Sequence, residues 1–452
     1  IRHQALGDPL NSVSQEENEA GGSANYPGTR WGDYVGVAQD PQVPNQAWDA
    51  NEGAGLSGWE TVVSRHQTDG TTYVPIAPVR VLDTRANLGL SGKFTSGNAR
   101  SWQVAGFGGI PAGAVAVTGN VTVTQQESAG FVSVTVTSTN TPPSSTINFP
   151  LGQTRANNVT TALSPAGRLS AVFRGVSSKK THLLFDVTGY FLADTTGATF
   201  HPVTPFRILD TRAGVGLSAK FHANVARTLQ VTAALGTVPL TATAITGNFT
   251  VVSPSKAGYA AVTKNATNNP PNSTINFPAA AVRANGVFAP LDSSGRLSIV
   301  YKAAAGGTSH IVLDVTGYFE PGLTGLKFVP LNPSRIMDSR PSAVLSGISG
   351  SFHSGTPKTL VVQGHWGVPI DAVAVTGNLT ATAQTARGYV SATPDPDPTP
   401  PTSTINFLAG DTMANGIVAP LNLTGRSSFV YKGTPSAGKT THLILDLSGY
   451  FQ

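Results

Sequence analysis

Arg80-Val81-Leu82-Asp83-Thr84-Arg85 returns as Arg207-Ile208-Leu209-Asp210-Thr211-Arg212, and again as Arg335-Ile336-Met337-Asp338-Ser339-Arg340. The spacings, 127 and 128 residues, suit a whole domain and are too long for a solenoid turn. Other markers keep the same order. Thr118-Gly119-Asn120 matches Thr246-Gly247-Asn248 and Thr376-Gly377-Asn378, and Ser145 to Phe149 matches Ser273 to Phe277 and Ser403 to Phe407. Each unit closes alike, on Gly189-Tyr190-Phe191, Gly317-Tyr318-Phe319 and Gly449-Tyr450-Phe451. The chain therefore reads as three tandem repeats, 73–191, 200–319 and 328–452, behind a non-matching head of residues 1–72.

Within a unit the pattern is β. Val121-Thr122-Val123-Thr124 and Val132-Ser133-Val134-Thr135-Val136 alternate at period two, as half-buried strands do. Further strand-like runs are Val74–Leu82, Val115–Thr118, Trp102–Ala105, Thr146–Phe149, Val159–Leu163, Leu169–Phe173 and Leu183–Phe191. Gly, Pro, Asn and Ser turns separate them at sandwich spacing, and no stretch has helical periodicity. The expected fold class is all-β: three tandem antiparallel β-sandwich domains of jelly-roll type, plus an irregular N-terminal β segment. Junctions of eight residues, Leu192–Thr199 and Glu320–Lys327, predict units stacked into a semi-rigid rod.

Composition narrows the rest. Of 452 residues 12% are charged, 49 are Gly, 32 are Pro and none is Cys. That argues against helical bundles and excludes disulfides, thiolate zinc sites and cysteine nucleophiles. The net charge of +5 comes with no basic run longer than Lys179-Lys180, so no nucleic-acid partner is expected. No apolar run approaches the roughly 20 residues of a membrane span. The opening residues lack a Met and a signal-like pattern, so the chain reads as part of a longer precursor.

The head holds Trp31, Trp48 and Trp59 in a Gly/Asn/Asp-rich background. Arg30-Trp31-Gly32-Asp33-Tyr34, the following Val35 to Pro41, and Ala47 to Glu52 resemble the closing portion of a sialidase-like (BNR-type) β-propeller. The propeller's catalytic residues would lie upstream, so the resemblance implies no activity here. An unpaired β segment of this length is a candidate strand donor to another chain. The repeats, through their Asp-Thr-Arg strand and Val-Thr-Gly-Tyr-Phe ending (187–191, 315–319), resemble extracellular β repeats in surface and secreted proteins of actinobacteria, Chloroflexi and similar bacteria. That resemblance implies an extracellular or cell-surface location and no assigned activity.

The recurring polar residues are the site candidates. Asp83 and Arg85, with Asp210/Arg212 and Asp338/Arg340, are expected to hold a loop or neighbouring strand through charge-assisted bonds. His182 and Asp186 recur as His310/Asp314 and His442/Asp446; four apart on a strand, they stand about 13 Å apart and form no dyad. These twelve form an expected structural polar network. Asn148, Asn157, Asn276, Asn285, Asn406 and Asn415 are candidate ligand contacts, with turn capping the alternative. The paired prolines 142–143, 270–271 and 400–401 predict rigid exposed loops, and Asp395 with Asp397 are too few oxygens for calcium. No nucleophile elbow, zinc-helix motif or P-loop is present. No catalytic residue, metal or cofactor is expected. The expected role is a secreted bacterial surface structural protein that self-associates into a filament or layer. The alternative is a carbohydrate- or cell-wall-binding appendage of a secreted hydrolase.

Overall fold

The computed structural model describes residues 70–233, 237–341 and 347–452, and the backbone of three strands before them. These three, β1 (Gly36–Gln39), β2 (Gln46–Gly55) and β3 (Gly58–Gln67), form an antiparallel meander. The remaining expectations for the head fall outside the described residues. The chain divides into residues 1–70 and 71–452, and no described residue is helical.

Repeat 1 contains β4 (Thr72–Asp83), β5 (Phe94–Thr95), β6 (Arg100–Gln103), β7 (Ala114–Thr124) and β8 (Gly130–Thr135). It continues with β9 (Ile147–Phe149), β10 (Arg155–Ala162), β11 (Arg168–Gly175) and β12 (Lys180–Leu192). One sheet runs β10-β7-β12-β4, with β5 added to β12, and the other runs β6-β11-β8-β9. Every pairing is antiparallel. Leaving aside β5, the eight strands are distributed between the two sheets in the jelly-roll order, with β8 and β9 as neighbours in one sheet, and repeats 2 and 3 reproduce it. Between the sheets lie Val121, Val123, Phe185 and Val187 from one side and Val132, Phe149, Leu169 and Phe173 from the other. Ile147–Phe149 and its counterparts are shorter than the Ser-Thr-Ile-Asn-Phe motif, and Phe94–Thr95 is too short to show a period.

The larger sheet differs from an ordinary sandwich layer. β7 and β10 are buried almost continuously along their length, and β12 is so from Leu183 to Val187, not at alternate positions. A strand buried on both faces is covered on both, and here the second cover is the other two repeats. Tyr73, Phe200 and Phe328 open the three units; Phe191, Phe319 and Phe451 close them. Their rings form a cycle: Tyr73–Phe319 at 4.2 Å, Phe319–Phe200 at 5.2 Å, Phe200–Phe451 at 4.2 Å, Phe451–Phe328 at 5.2 Å, Phe328–Phe191 at 4.5 Å and Phe191–Tyr73 at 5.0 Å. All six rings are buried, in a core separate from those of the individual repeats. The glycine of the closing motif is what admits them. A Cβ on Gly189, Gly317 or Gly449 would collide with the ring of Tyr73, Phe200 or Phe328, respectively.

The rod is therefore corrected to a ring within residues 71–452. Repeat 3 contacts repeat 1 directly, and the backbones of Thr71 and Phe328 exchange two hydrogen bonds, 2.7 and 3.0 Å. Short junctions restrict motion equally well in a ring. The physical reason for closure is the large apolar and asparagine-bearing face on every repeat, which a linear stack would leave exposed at both ends.

Candidate functional site

The charged residues of the motif assemble at one edge of each repeat. Asp83 ends β4 and accepts from the Arg85 backbone N–H (3.1 Å), from Arg85 Nε (2.9 Å) and, through its other oxygen, from Arg85 Nη2 (2.7 Å). The pair closes its own turn and does not reach a neighbouring strand. That reach belongs to Arg80, which sequence reasoning left out of the candidates. Its Nε and Nη2 donate to the two oxygens of Asp186 at 2.8 and 3.1 Å, and its Nη1 donates to Asp83 at 3.2 Å. Arg207 with Asp314 and Asp210, and Arg335 with Asp446 and Asp338, repeat the geometry. A register shift in the β12–β4 ladder sets Asp186 opposite Arg80. His182 lies apart, its Nδ1 2.8 Å from Thr84 Oγ1; His310 meets Thr211 at 3.0 Å. His442 Nδ1 donates to the Ser339 carbonyl at 2.9 Å.

The two carboxylates sit in opposite electrostatic settings. Hydrogen bonds from Arg85 hold Asp83 below the usual carboxylate range, and Arg212 holds Asp210 at about 2. Burial pushes Asp186, Asp314 and Asp446 up, with the partner arginine opposing it in each case. Burial, and then Lys93 and Arg85, lower His182.

The asparagines divide into two sets. Asn148, Asn276 and Asn406 accept from the hydroxyl three residues earlier, Ser145, Ser273 and Ser403, at 3.0–3.2 Å, a turn bond internal to each repeat. Asn157, Asn285 and Asn415 are each only 1% exposed and join the repeats. Their side-chain N–H groups donate to Asn378, Asn120 and Asn248, all at 2.9 Å. Their oxygens accept backbone N–H groups of Gly416, Asn158 and Gly286 at 2.7–2.9 Å. Asn120, Asn248 and Asn378 donate in turn to the Ser273, Ser403 and Ser145 carbonyls. The candidate ligand role of Asn157, Asn285 and Asn415 is thus overturned: every polar atom is spent on a neighbouring strand or repeat.

These bonds also seat the proline loops. Pro270 and Pro400 are buried while Pro271 and Pro401 remain exposed, so each of those two loops is half covered, not wholly exposed as expected. Asn272, beside Pro271, donates to Asp186 across the junction of repeats 1 and 2. A cavity of about 260 Å³ lies at this junction, walled by Pro270, Pro271, Phe288 and Pro78 with Asp186 and Asn120 also lining it. Asp395 and Asp397 are taken up by Asn422 and the Thr399 backbone. Among the described residues no group of three or more His, Asp or Glu could hold a metal, and no helix is long and apolar enough to cross a membrane.

No family model and no curated protein matches the chain. Among solved structures, a chain from "The Triple Jelly Roll Fold and Turret Assembly in an Archaeal Virus" aligns over 95% of this chain and 98% of its own. The identity is 10% and the TM-score 0.15. A chain from "Life in the extremes: atomic structure of Sulfolobus Turreted Icosahedral Virus" aligns over 94% and 98%, at 9% identity and a TM-score of 0.12. At these scores the fold is read from the chain's own strand order.

Proposed function

We propose that this chain is a non-catalytic structural module of a secreted bacterial surface protein, with residues 71–452 acting as a rigid building block. The supporting observation is where the recurring polar residues are spent. Arg80, Arg207 and Arg335 tie strand to strand within a repeat, the Asp83–Arg85 pair and its counterparts close the following turn, and the buried asparagines tie repeat to repeat. A site evolved for turnover needs groups left free to meet a substrate, whereas a block that bears load gains from cross-linking every recurring group. The repeat motifs' resemblance to extracellular β repeats supports the surface location. Self-association would then join blocks, with the strands of residues 1–70 as the connecting element through sheet-edge pairing.

Electron microscopy and sedimentation of the full chain against residues 71–452 test this reading. The expected result is ordered assemblies of the full chain and uniform single particles of the shorter one. Monodisperse full-length chain at all concentrations would overturn the self-association.

A further inference from the structure

His310 and its partners remain after the scaffold has taken its share, and strand register decides what surrounds them. In repeat 2 Phe221 pairs with Ser309, so the preceding Lys220 falls beside His310. Along the same strand edge Asp210 pairs with Val312 and the Thr211 N–H donates to the Ile311 carbonyl, so Arg212 arrives at the same histidine. The third neighbouring strand presents Val252. The same ladders bring Lys93 and Arg85 to His182, but Ser351 and Arg340 to His442.

The three corners differ in acid content. In repeat 1 Lys93 is paired with Glu127 at 2.9 Å, and the Glu127 N–H donates to the Lys180 carbonyl. In repeat 2 the residue making that backbone bond, to Thr308, is Ser255, followed by the exposed Lys256. Lys220 is exposed and has no acidic partner among the described residues. The one carboxylate here among the described residues, Asp210, is already bound by Arg212, which keeps 46% of its side chain exposed. Net charge sets repeats 1 and 2 apart from repeat 3 but not from each other: repeats 1 and 2 each hold 9 Lys/Arg against 3 Asp/Glu, and repeat 3 holds 7 against 6. What distinguishes the repeat-2 corner from that of repeat 1 is the absence of a carboxylate in the place of Glu127.

We propose that the Arg212–Lys220–His310 corner of repeat 2 is a binding site for the carboxylate or sulfate groups of an acidic polysaccharide. With its Nε/Nη2 edge on Asp210, the Arg212 guanidinium offers its Nη1/Nη2 edge to an oxyanion, and the lysine offers a mobile point charge. Burial first, and then Lys220 and Arg212, lower the His310 pKa, while Asp210 acts in the opposite sense; a bound oxyanion raises it. Phe107 is the only exposed Phe, Tyr or Trp ring among the described residues. Recognition by stacking on neutral sugars or unpaired bases therefore has little platform, and no described helix is available for a DNA groove. Charge is what this corner offers.

The site does not depend on self-association and is tested on the full chain. Polygalacturonate supplies carboxylates, dextran sulfate supplies sulfates, and neutral dextran and duplex DNA complete the set. One or both acidic polysaccharides should bind, weakening with salt, and shift the His310 ring titration upward. K220S, which installs the repeat-3 residue at an exposed position, should weaken binding about fivefold, and S351K should strengthen it by a similar factor. Wild-type affinity in K220S, equal binding of neutral dextran, or tighter binding of duplex DNA would overturn the proposal.

Discussion

Two contacts repeat three times around the ring, and they have fared differently. The asparagine contact is the same at every junction: one buried side chain serves a neighbouring side chain and a neighbouring backbone N–H. The contact beside it is different each time. Arg155 of repeat 1 forms a bidentate pair with Asp411 of repeat 3 at 2.7 and 2.9 Å. Arg283 of repeat 2 donates to Gln153 of repeat 1 at 2.5 Å. The cycle assigns Met413 of repeat 3 to Ala281 of repeat 2, both buried. A side chain that satisfies backbone cannot change alone, because the backbone group it leaves behind has no substitute. A pair of side chains can change together. Reading Met413 by itself suggests that the arginine is dispensable for the fold; the ring shows that its acceptor left with it.

The sharpest way to break this comparison is at the asparagines. N285A removes donation to Asn120 Oδ1 (2.9 Å) and to the Thr274 carbonyl (2.6 Å), and strips the Asn158 N–H of its acceptor. Three buried groups lose partners at about 1–3 kcal/mol each if none recovers. With partial relaxation, a loss of about 3–5 kcal/mol in urea unfolding is expected. A loss below about 1 kcal/mol would mean that the junction is held by the aromatic cycle alone.

The outer pair should behave as a pair. D411A leaves Arg155, 3% exposed, with neutral acceptors only, and about 2–3 kcal/mol should be lost. Adding R155M recreates at this junction the residues found at Met413 and Ala281, and most of that loss should return. A double-mutant cycle measures the coupling. Strict additivity of the two changes would refute the idea that the partners vary together.

How much of this was legible beforehand follows from what a linear period can carry. The repeat length, the all-β pattern and most strands follow from spacing and alternation, because those are local. Val115–Thr118 and Val121–Thr124 read as separate runs, yet Ala114–Thr124 is one strand. Gly119 interrupts the apolar pattern but not the ladder. Ring closure is non-local. Asn157, Asn285 and Asn415 recur in identical settings, and a recurrence looks the same whether each copy faces a ligand, its own turn or the next repeat. Arg80 stood within the quoted motif and was passed over for Arg85. The register shift at Phe185/Asp186, invisible in sequence, decides which arginine meets Asp186.

The smallest effect expected concerns the carboxylates, which extend the comparison into pH. Asp210 is held at about 2 by its bonds to Arg212, against an ordinary 3.8. The unfolded chain therefore takes up this proton first as pH falls. The group's contribution to stability is whole above about pH 4 and is lost between about pH 4 and 2. Asp210 is nearly buried but Arg212 is 46% exposed, so solvent screening limits the contribution to about 1 kcal/mol. Asp314, raised by burial at the junction with repeat 3, works the other way: its folded form holds a proton at higher pH than the unfolded chain. Its contribution therefore falls as pH rises past the unfolded value. D210N should thus flatten the acid limb of the stability profile, measured by urea unfolding from pH 5 to pH 2, while D314N should steepen it. Equal slopes in the two variants would show that the turn pair and the junction carboxylate do not differ in the way their surroundings require.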